Sequence, residues 1–317
     1  MCYISSKNDK NKDDKMIDIL LATYNGEKYL DLQLFSIVNQ TYKEWNLYIH
    51  DDGSSDNTVS IIKKWEKNDS RIHYIEDDKK HLGPGNNFLS LIPYSKSDYV
   101  CFCDQDDFWF ENKLEKYVNE ISKYGHEKPV CILFSAYVWN ENKITPLLNE
   151  FSRSINSLLF TAGTQGCSLV FNKKVVEYAL MFVNNNIYLH DYLIVFISIL
   201  FGMYLYCPDK VMLYRQHANN VTGHLPRSKI EKKINSIMKN KNTPFLYPKM
   251  YNDIVTIYNT LKNLIPLHEQ RLFEKYISLP QKNKIQRFFS LTTSNFVIGE
   301  HSHLYFMIKY LMRKKYI

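Results

Sequence analysis

Tyr99-Val100-Cys101-Phe102-Cys103-Asp104-Gln105-Asp106-Asp107-Phe108-Trp109 is the stretch on which the reading of the fold turns. Its first five residues are β-branched, aromatic or small and apolar, which predicts a buried strand. Three carboxylates then arrive within four positions, and a strand interior cannot hold them. In open α/β sheets ligands bind outside the carboxyl ends of the strands, so Asp104, Asp106 and Asp107 are expected at the mouth of the main crevice. Unpaired carboxylates this close repel one another unless a cation relieves them. Hard oxygen ligands suit Mg2+ or Mn2+, whose remaining positions are filled by water and phosphate oxygens. The stretch therefore reads as a metal–diphosphate site, with a solvated acidic turn before a helix near Glu111 as the plain alternative.

Working outward, Ile17 to Ala22 predicts a first buried strand that turns at Thr23-Tyr24-Asn25-Gly26. Helical periodicity follows from about Tyr29 to Asn39, with Leu30, Leu34, Ile37 and Val38 on one face. Trp45 to His50 predicts a second strand, ending in Asp51-Asp52-Gly53-Ser54-Ser55-Asp56-Asn57-Thr58. Ser55 or Asp56 is the expected cap of a helix continuing to Lys67. Ile72 to Glu76 predicts a third strand, and a Gly/Pro/Asn loop from His81 to Phe88 leads through a short helix to the Tyr99 strand. Four alternations of strand and helix imply a parallel, doubly wound sheet. Right-handed crossovers then bring both aspartate clusters to one sheet edge and one cleft. A carboxylate at Asp52 suits the N–H and O–H groups of a base or ribose. Turn chemistry alone also accounts for Asp51 and Asp52.

Further along, Val130 to Asn140 predicts another strand. Thr164-Gln165-Gly166-Cys167-Ser168-Leu169-Val170-Phe171-Asn172 reads as a small-residue loop entering another strand. Small residues there permit close backbone approach to a ligand, or simply a tight turn. Leu189-His190-Asp191-Tyr192 opens an apolar run read as a buried helix reaching Cys207, with Asp191 as either its N-cap or a general base. Val211 to His217 predicts a last strand, which places Arg215 and His217 for phosphate or metal contact. From Leu225 onward the pattern is helical, and a final helix from about His303 carries Leu304, Met307, Ile308 and Leu311 on one face.

With 317 residues, 45% of them hydrophobic and 23% charged, the chain can bury one large core plus an appendage and is neither fibrous nor wholly disordered. Its net charge of +7 is uneven: residues 226–317 hold 17 Lys and Arg against 5 Asp and Glu, while the remainder holds 23 against 28. The layout is an acidic body with a basic tail. The tail fits an anionic membrane surface, or a helical appendage that packs on the body or forms a homodimer contact. Arg is scarce in it and no nucleic-acid motif appears, so a polynucleotide partner is not expected. Six cysteines without a C-x-x-C pair, and a polar start without an apolar run, fit a reduced cytoplasmic protein without a signal peptide.

Five stretches, in order and spacing, resemble the family 2 glycosyltransferases of GT-A fold, and most closely their bacterial rhamnosyltransferase-like branch. They are Ala22-Thr23-Tyr24-Asn25-Gly26, Asp51 to Asp56, Asp104 to Trp109, His190-Asp191 and Tyr214 to Asn220. The resemblance implies an α/β GT-A domain over residues 16–224, between a polar tail (1–15) and a basic helical C-terminal region (225–317). It implies inverting transfer of a sugar, rhamnose being suggested, from a nucleoside-diphosphate donor to a glycan or lipid-linked glycan hydroxyl, with Mn2+ or Mg2+. Asp191 matches the catalytic base. Ala22, Tyr24, Asn25, Asp52, Gly83, Asn87, Asp104, Gly166 and Arg215 fall on the donor side, Asp106, Asp104 and His217 on the metal, and Asp107 and Trp109 on the acceptor side. The chain departs from the family pattern at Ala218, where Gly is frequent, and at Asn86 and Asn87, where a basic residue is frequent. Rival readings are a sugar-phosphate nucleotidyltransferase, whose Gly-rich signature is replaced here by Thr23-Tyr24-Asn25-Gly26, and a nucleic-acid-binding module.

Overall fold

Alternation along Ile17–Thr23 (β1) sends Ile17, Ile19 and Leu21 to one core and Leu20 to another, so both faces of this strand are covered. The computed structural model describes residues 15–140, 143–147, 153–160, 165–217, 244–294, 296–297 and 303–312. The polar tail through residue 14, the boundary near 224, Ala218 and the terminal Arg313-Lys314-Lys315 lie outside them. β1 pairs in parallel with Trp45–Asp51 (β2) on one side and Tyr99–Cys103 (β4) on the other, and β2 pairs in parallel with Ile72–Tyr74 (β3). The order β3-β2-β1-β4 reverses direction between β1 and β4, which opens a crevice at their carboxyl ends.

Beyond β4 the expected parallel pattern changes. Leu169–Asn172 (β8) joins β4 antiparallel, and Val130–Asn140 (β6) joins β8 antiparallel. Met203–Arg215 (β9) runs parallel to β6, and the short Phe108–Trp109 (β5) and Lys143–Pro146 (β7) add antiparallel edges. The sheet is mixed because the chain does not cross over from β4 but turns at the acidic stretch into β5. The apolar run read as one helix to Cys207 divides at Gly202. A β-carbon there would lie 1.8 Å from the Pro129 carbonyl oxygen, and the chain leaves the helix for β9.

Leu30–Val38 (α1), Thr58–Asn68 (α2) and Lys113–Ile121 (α4) cover one face of the sheet with Leu34, Ile62 and Tyr117. Asn57, not Ser55 or Asp56, occupies the N-cap of α2, while Asp56 accepts from the Thr58 N–H at 3.0 Å. Gly83–Leu91 (α3), the single turn Ile155–Leu158 (α5), Lys173–Ala179 (α6) and His190–Phe201 (α7) cover the other face. Pro248–Leu261 (α8), Leu267–Ile277 (α9), Lys284–Thr292 (α10) and His303–Met312 (α11) add Ile254, Phe273, Leu291 and Phe306 to the core that α7 lines. Phe160 touches the rings of Phe245, Tyr276, Phe296 and Phe306, and Phe196 meets Phe273, so these helices share one core with the sheet. The apolar face expected on α11 is split. Phe306, Met307 and Tyr310 point inward, while Leu304 and Leu311, a heptad apart, are exposed.

Candidate active site

A cavity of about 1600 Å³ lies at the reversal between β1 and β4. Ala22, Tyr24, Asn25, Asp52, Gly83, Asn87, Asp104, Asp106, Gly166, Asp191, Arg215 and His217 all line it, so all five matched stretches and both aspartate clusters meet on one hollow. Asp104 to Trp109 contributes only its first half. Asp107 and Trp109, expected on the acceptor side, are buried and do not line the cavity. The turn into β5 points the Asp107 carboxylate inward, where Oδ1 accepts from the Arg215 N–H at 3.0 Å. Trp109 lies under the Lys113 ammonium, 3.7 Å from the ring centroid.

At one end of the cavity the Tyr24 ring is 50% exposed, and its backbone is held by the Gln105 amide, which accepts from Tyr24 N (2.9 Å) and donates to Tyr24 O (3.0 Å). Gln105 thus ties the β1 turn to the acidic turn. Gly26 leaves room for this contact, because a β-carbon there would lie 2.3 Å from Gln105 Oε1 and displace the amide. Asn25 takes a left-handed conformation (φ 47°) and accepts from Ser55 N at 2.9 Å. Asp51 serves the turn itself, accepting from Gly53 N and Ser54 N. Asp52 accepts from Leu82 N (2.7 Å) and Gly83 N (2.9 Å), which fixes the start of α3 beside β2. Asn87 lies between His50 Nδ1 (2.6 Å) and the Thr23 carbonyl oxygen (3.2 Å). Among the described residues, the Lys and Arg side chains that line the cavity are Lys28, Lys143 and Arg215; Lys28 and Lys143 were not singled out from sequence.

The acidic turn distributes its charges unequally. Asp106 Oδ2 is 2.7 Å from His217 Nε2, and the His217 ring stacks on Tyr29. Arg215 Nε donates to the Asp106 carbonyl oxygen at 2.7 Å, its guanidinium lying between Trp139 (3.8 Å) and Tyr29 (4.7 Å). Burial and the neighbouring Asp106 charge push the Asp104 carboxyl up to about 7. Asp104, Asp107 and Cys167 offer ligand atoms within 4.8 Å of one another. That cluster does not suit a hard cation, since burial pushes the Cys167 thiol well up and keeps it protonated, and Asp107 is likewise raised by burial. The donor set that fits a divalent ion is Asp104 with Asp106, two carboxylates on the cavity wall whose mutual repulsion a cation would relieve. Below them the buried Lys113 donates to the Cys167 carbonyl oxygen (2.7 Å) and Met212 Sδ (3.2 Å), holding the 167 loop to β9.

Across the cavity Asp191 sits in the first turn of α7. Leu189, not Asp191, is the N-cap; Asp191 Oδ1 accepts from Tyr192 N at 2.8 Å. Burial, with a smaller contribution from the Asp104 charge, pushes the Asp191 carboxyl up to about 7. Next to it His190 stacks on Phe88 (3.9 Å) and meets Phe102 edge-on (4.6 Å), and burial lowers it to about 3, so the imidazole is neutral. Gly166 is required here, since a β-carbon would lie 2.7 Å from His190 Nε2. Gln165, next to it, lines the cavity with neither amide oxygen nor nitrogen partnered, a feature no periodicity or motif in the sequence reveals.

Residues 18–177, half of the chain, match the sequence model of Glycosyl transferase family 2. The chain belongs to this family. This family 2 glycosyltransferase is 30% identical over 242 residues to the dTDP-rhamnosyl transferase RfbG of Shigella flexneri, a match covering 70% of this chain and 80% of that one. It is 35% identical over 113 residues to the UDP-Glc:alpha-D-GlcNAc-diphosphoundecaprenol beta-1,3-glucosyltransferase WfgD of Escherichia coli, covering 35% of this chain and 43% of that relative. Among solved structures, TarS 1-349 of S. aureus in complex with UDP-GlcNAc superposes with a TM-score of 0.54 at 16% identity, covering 87% of this chain and 79% of that one. That likeness shows the GT-A fold. The enzyme is a transferase, and the nucleotidyltransferase and nucleic-acid readings are set aside by the family. No helix among the described residues is long and apolar enough to cross a membrane.

Proposed function

We propose that the enzyme transfers a sugar with inversion from a nucleoside-diphosphate donor to an acceptor hydroxyl during synthesis of a bacterial surface polysaccharide, with Asp191 as general base. One observation carries this reading: Asp104 and Asp106 share a single cavity with Asp191, Tyr24 and Asp52. Tyr24 offers an exposed ring against which a base can lie, and Asp52 stands beside it as an acceptor. Arg215 and His217 stand next to Asp106 for the donor phosphates. Inversion requires one in-line displacement at the anomeric carbon and hence one protein base, which takes the acceptor proton as the new bond forms. A glycosidase would instead place two carboxylates about the scissile bond. Asp104 and Asp106 would hold Mn2+ or Mg2+, which when bound supplies Lewis-acid stabilisation of the leaving diphosphate.

Rhamnose as the transferred sugar is supported by the name of the Shigella relative, and a lipid-linked glycan acceptor by that of the Escherichia coli one. Such an acceptor fits a peripheral contact of the basic C-terminal helices with an anionic inner membrane surface. Ile285 and Leu304, each 70% exposed, would enter that surface beside the Lys-rich segments. A panel of nucleotide sugars, screened for Mn2+-dependent hydrolysis and thermal stabilisation, tests the donor. A single dTDP-deoxyhexose standing out supports the reading, and no response to any nucleotide sugar refutes it. Flotation with anionic vesicles, with and without residues 300–317, tests the membrane contact; equal sedimentation of both forms ends it.

A further inference from the structure

The start of α7 is clamped from two directions. From α3, Asn86 Oδ1 accepts from Ile187 N (2.9 Å) and its amide donates to Asn186 Oδ1 (3.0 Å). Gly85 lets the segment come close, because a β-carbon there would lie 2.2 Å from the Ile187 carbonyl oxygen and 2.5 Å from that of Tyr188. From α8, Asp253 is 2% exposed and accepts from Tyr188 N (2.8 Å) and Leu189 N (3.1 Å). The Lys249 ammonium, one turn before Asp253, lies over the Tyr188 ring at 4.3 Å. A carboxylate at this place satisfies two successive backbone donors and sits at the positive end of a helix. Leu189 is the N-cap of α7 and Asp191 its second residue.

We propose that Asp253, supplied by the C-terminal helices some sixty residues away in sequence, is a positioning residue for the catalytic base: by holding Tyr188 and Leu189 it sets where α7 begins and hence where the Asp191 carboxylate enters the cavity. The proposal rests on the reading of Asp191 as base. It makes the helices after residue 244 part of the catalytic unit and not only an appendage. A carboxylate is required because an amide offers one acceptor oxygen, and its NH2 would face the second N–H.

Asp253→Asn in the full chain is expected to lower kcat by about ten- to a hundredfold, the scale of a displaced catalytic group, while nucleotide affinity by calorimetry stays within about twofold. Made in an Asp191→Asn background, the same substitution is expected to add almost nothing, because the group it positions is gone. Equal losses in the two backgrounds, or a loss matched by weaker nucleotide binding, would reduce Asp253 to a structural residue and overturn the proposal. Full turnover in Asp191→Asn alone removes the base itself, and the proposal with it. The acid limb of the pH profile is a second readout. The groups facing Asp191 are Asp104 from the acidic turn, Asp253 from α8, the neutral His190 ring and the Tyr192 hydroxyl. Loss of the Asp253 charge should move the limb to lower pH. Should the variant fail to fold, amide exchange in the unaltered protein decides. Tyr188 and Leu189 N–H groups protected like the middle of α7 support the clamp, and fast exchange at both overturns it.

Discussion

The acid limb of the pH profile follows from the place of Asp191. Its carboxyl is raised to about 7, chiefly by burial, so the sign is fixed: below that pH the folded enzyme holds the group protonated and the base is disarmed. About half of the molecules are competent at pH 7, about nine-tenths at pH 8 and about one-tenth at pH 6, so kcat/KM should fall about tenfold per unit below pH 6. An ordinary aspartate would show no such loss until near pH 4. Asp104 is also raised to about 7, and the two are separable by their response to metal. A cation bound at Asp104 favours its ionised form, so a limb due to Asp104 slides to lower pH as Mn2+ is raised, whereas a limb due to Asp191, to which the Asp104 charge is a minor contribution, moves much less. The assay is release of nucleoside diphosphate at saturating and limiting Mn2+ across pH 5–9, for the wild type and Asp191→Asn. The substitution should lower kcat by about 10²- to 10⁴-fold and abolish the limb. A limb that persists unchanged in Asp191→Asn, or lies below pH 5 in the wild type, refutes the assignment.

Gly166→Ala should strike the base side selectively, because its β-carbon meets His190 Nε2 at 2.7 Å and His190 is wedged against Phe88 and Phe102. Urea unfolding should show a loss of about 1–3 kcal/mol, with kcat reduced more than nucleotide affinity. Asp106→Ala should abolish the metal-dependent part of donor binding; calorimetry giving equal affinities with and without Mn2+ in the wild type contradicts that role. Asp107→Asn is expected to be tolerated, since burial raises this carboxyl and so disfavours its charge, and an amide oxygen can still accept from Arg215 N. An activity loss in Asp107→Asn as large as that in Asp106→Ala would return Asp107 to the catalytic set.

The parallel half of the sheet was legible because each of its strands is a short apolar run closed by turn residues. Tyr99 to Cys103 was read with its observed limits, and β1 and β2 each extend one residue further than read. The third strand is shorter than read, as only Ile75 N continues the ladder, to the Ile49 carbonyl oxygen. Val130 to Asn140 was likewise read with its observed limits, but the short antiparallel edges were not legible, since β5 is two residues long and β7 is exposed. At Gly202 an apolar composition common to buried helix and buried strand hid the boundary, which is set by Pro129, distant in sequence. The acidic triplet illustrates the same limit. Sequence places three carboxylates together, but which of them face the cavity depends on β5 pairing with β9. Lys113 lies in the charged helix α4, and its burial against Cys167 and Met212 is a tertiary fact.

The cavity is thus built by two supports that need not vary together. On the proposed reading, the nucleotide side hangs on β1, β2 and β4, where Gln105, Asn25 and Asp52 cross-link turns that follow neighbouring strands. On the same reading the base side hangs on α7, which begins at a segment gripped by Asn86 and Asp253 and packs against α9 through Phe196 and Phe273. The family match stops at residue 177, before α7 begins. Substitutions in the C-terminal helices can therefore reorient the base, and with it the acceptor hydroxyl it must meet, while the donor turns keep their cross-links. A change of acceptor at constant nucleotide needs alterations on only one of these supports, and the separation lies in the hydrogen bonds themselves: among the described residues, those that order the donor turns do not pass through α8 to α11.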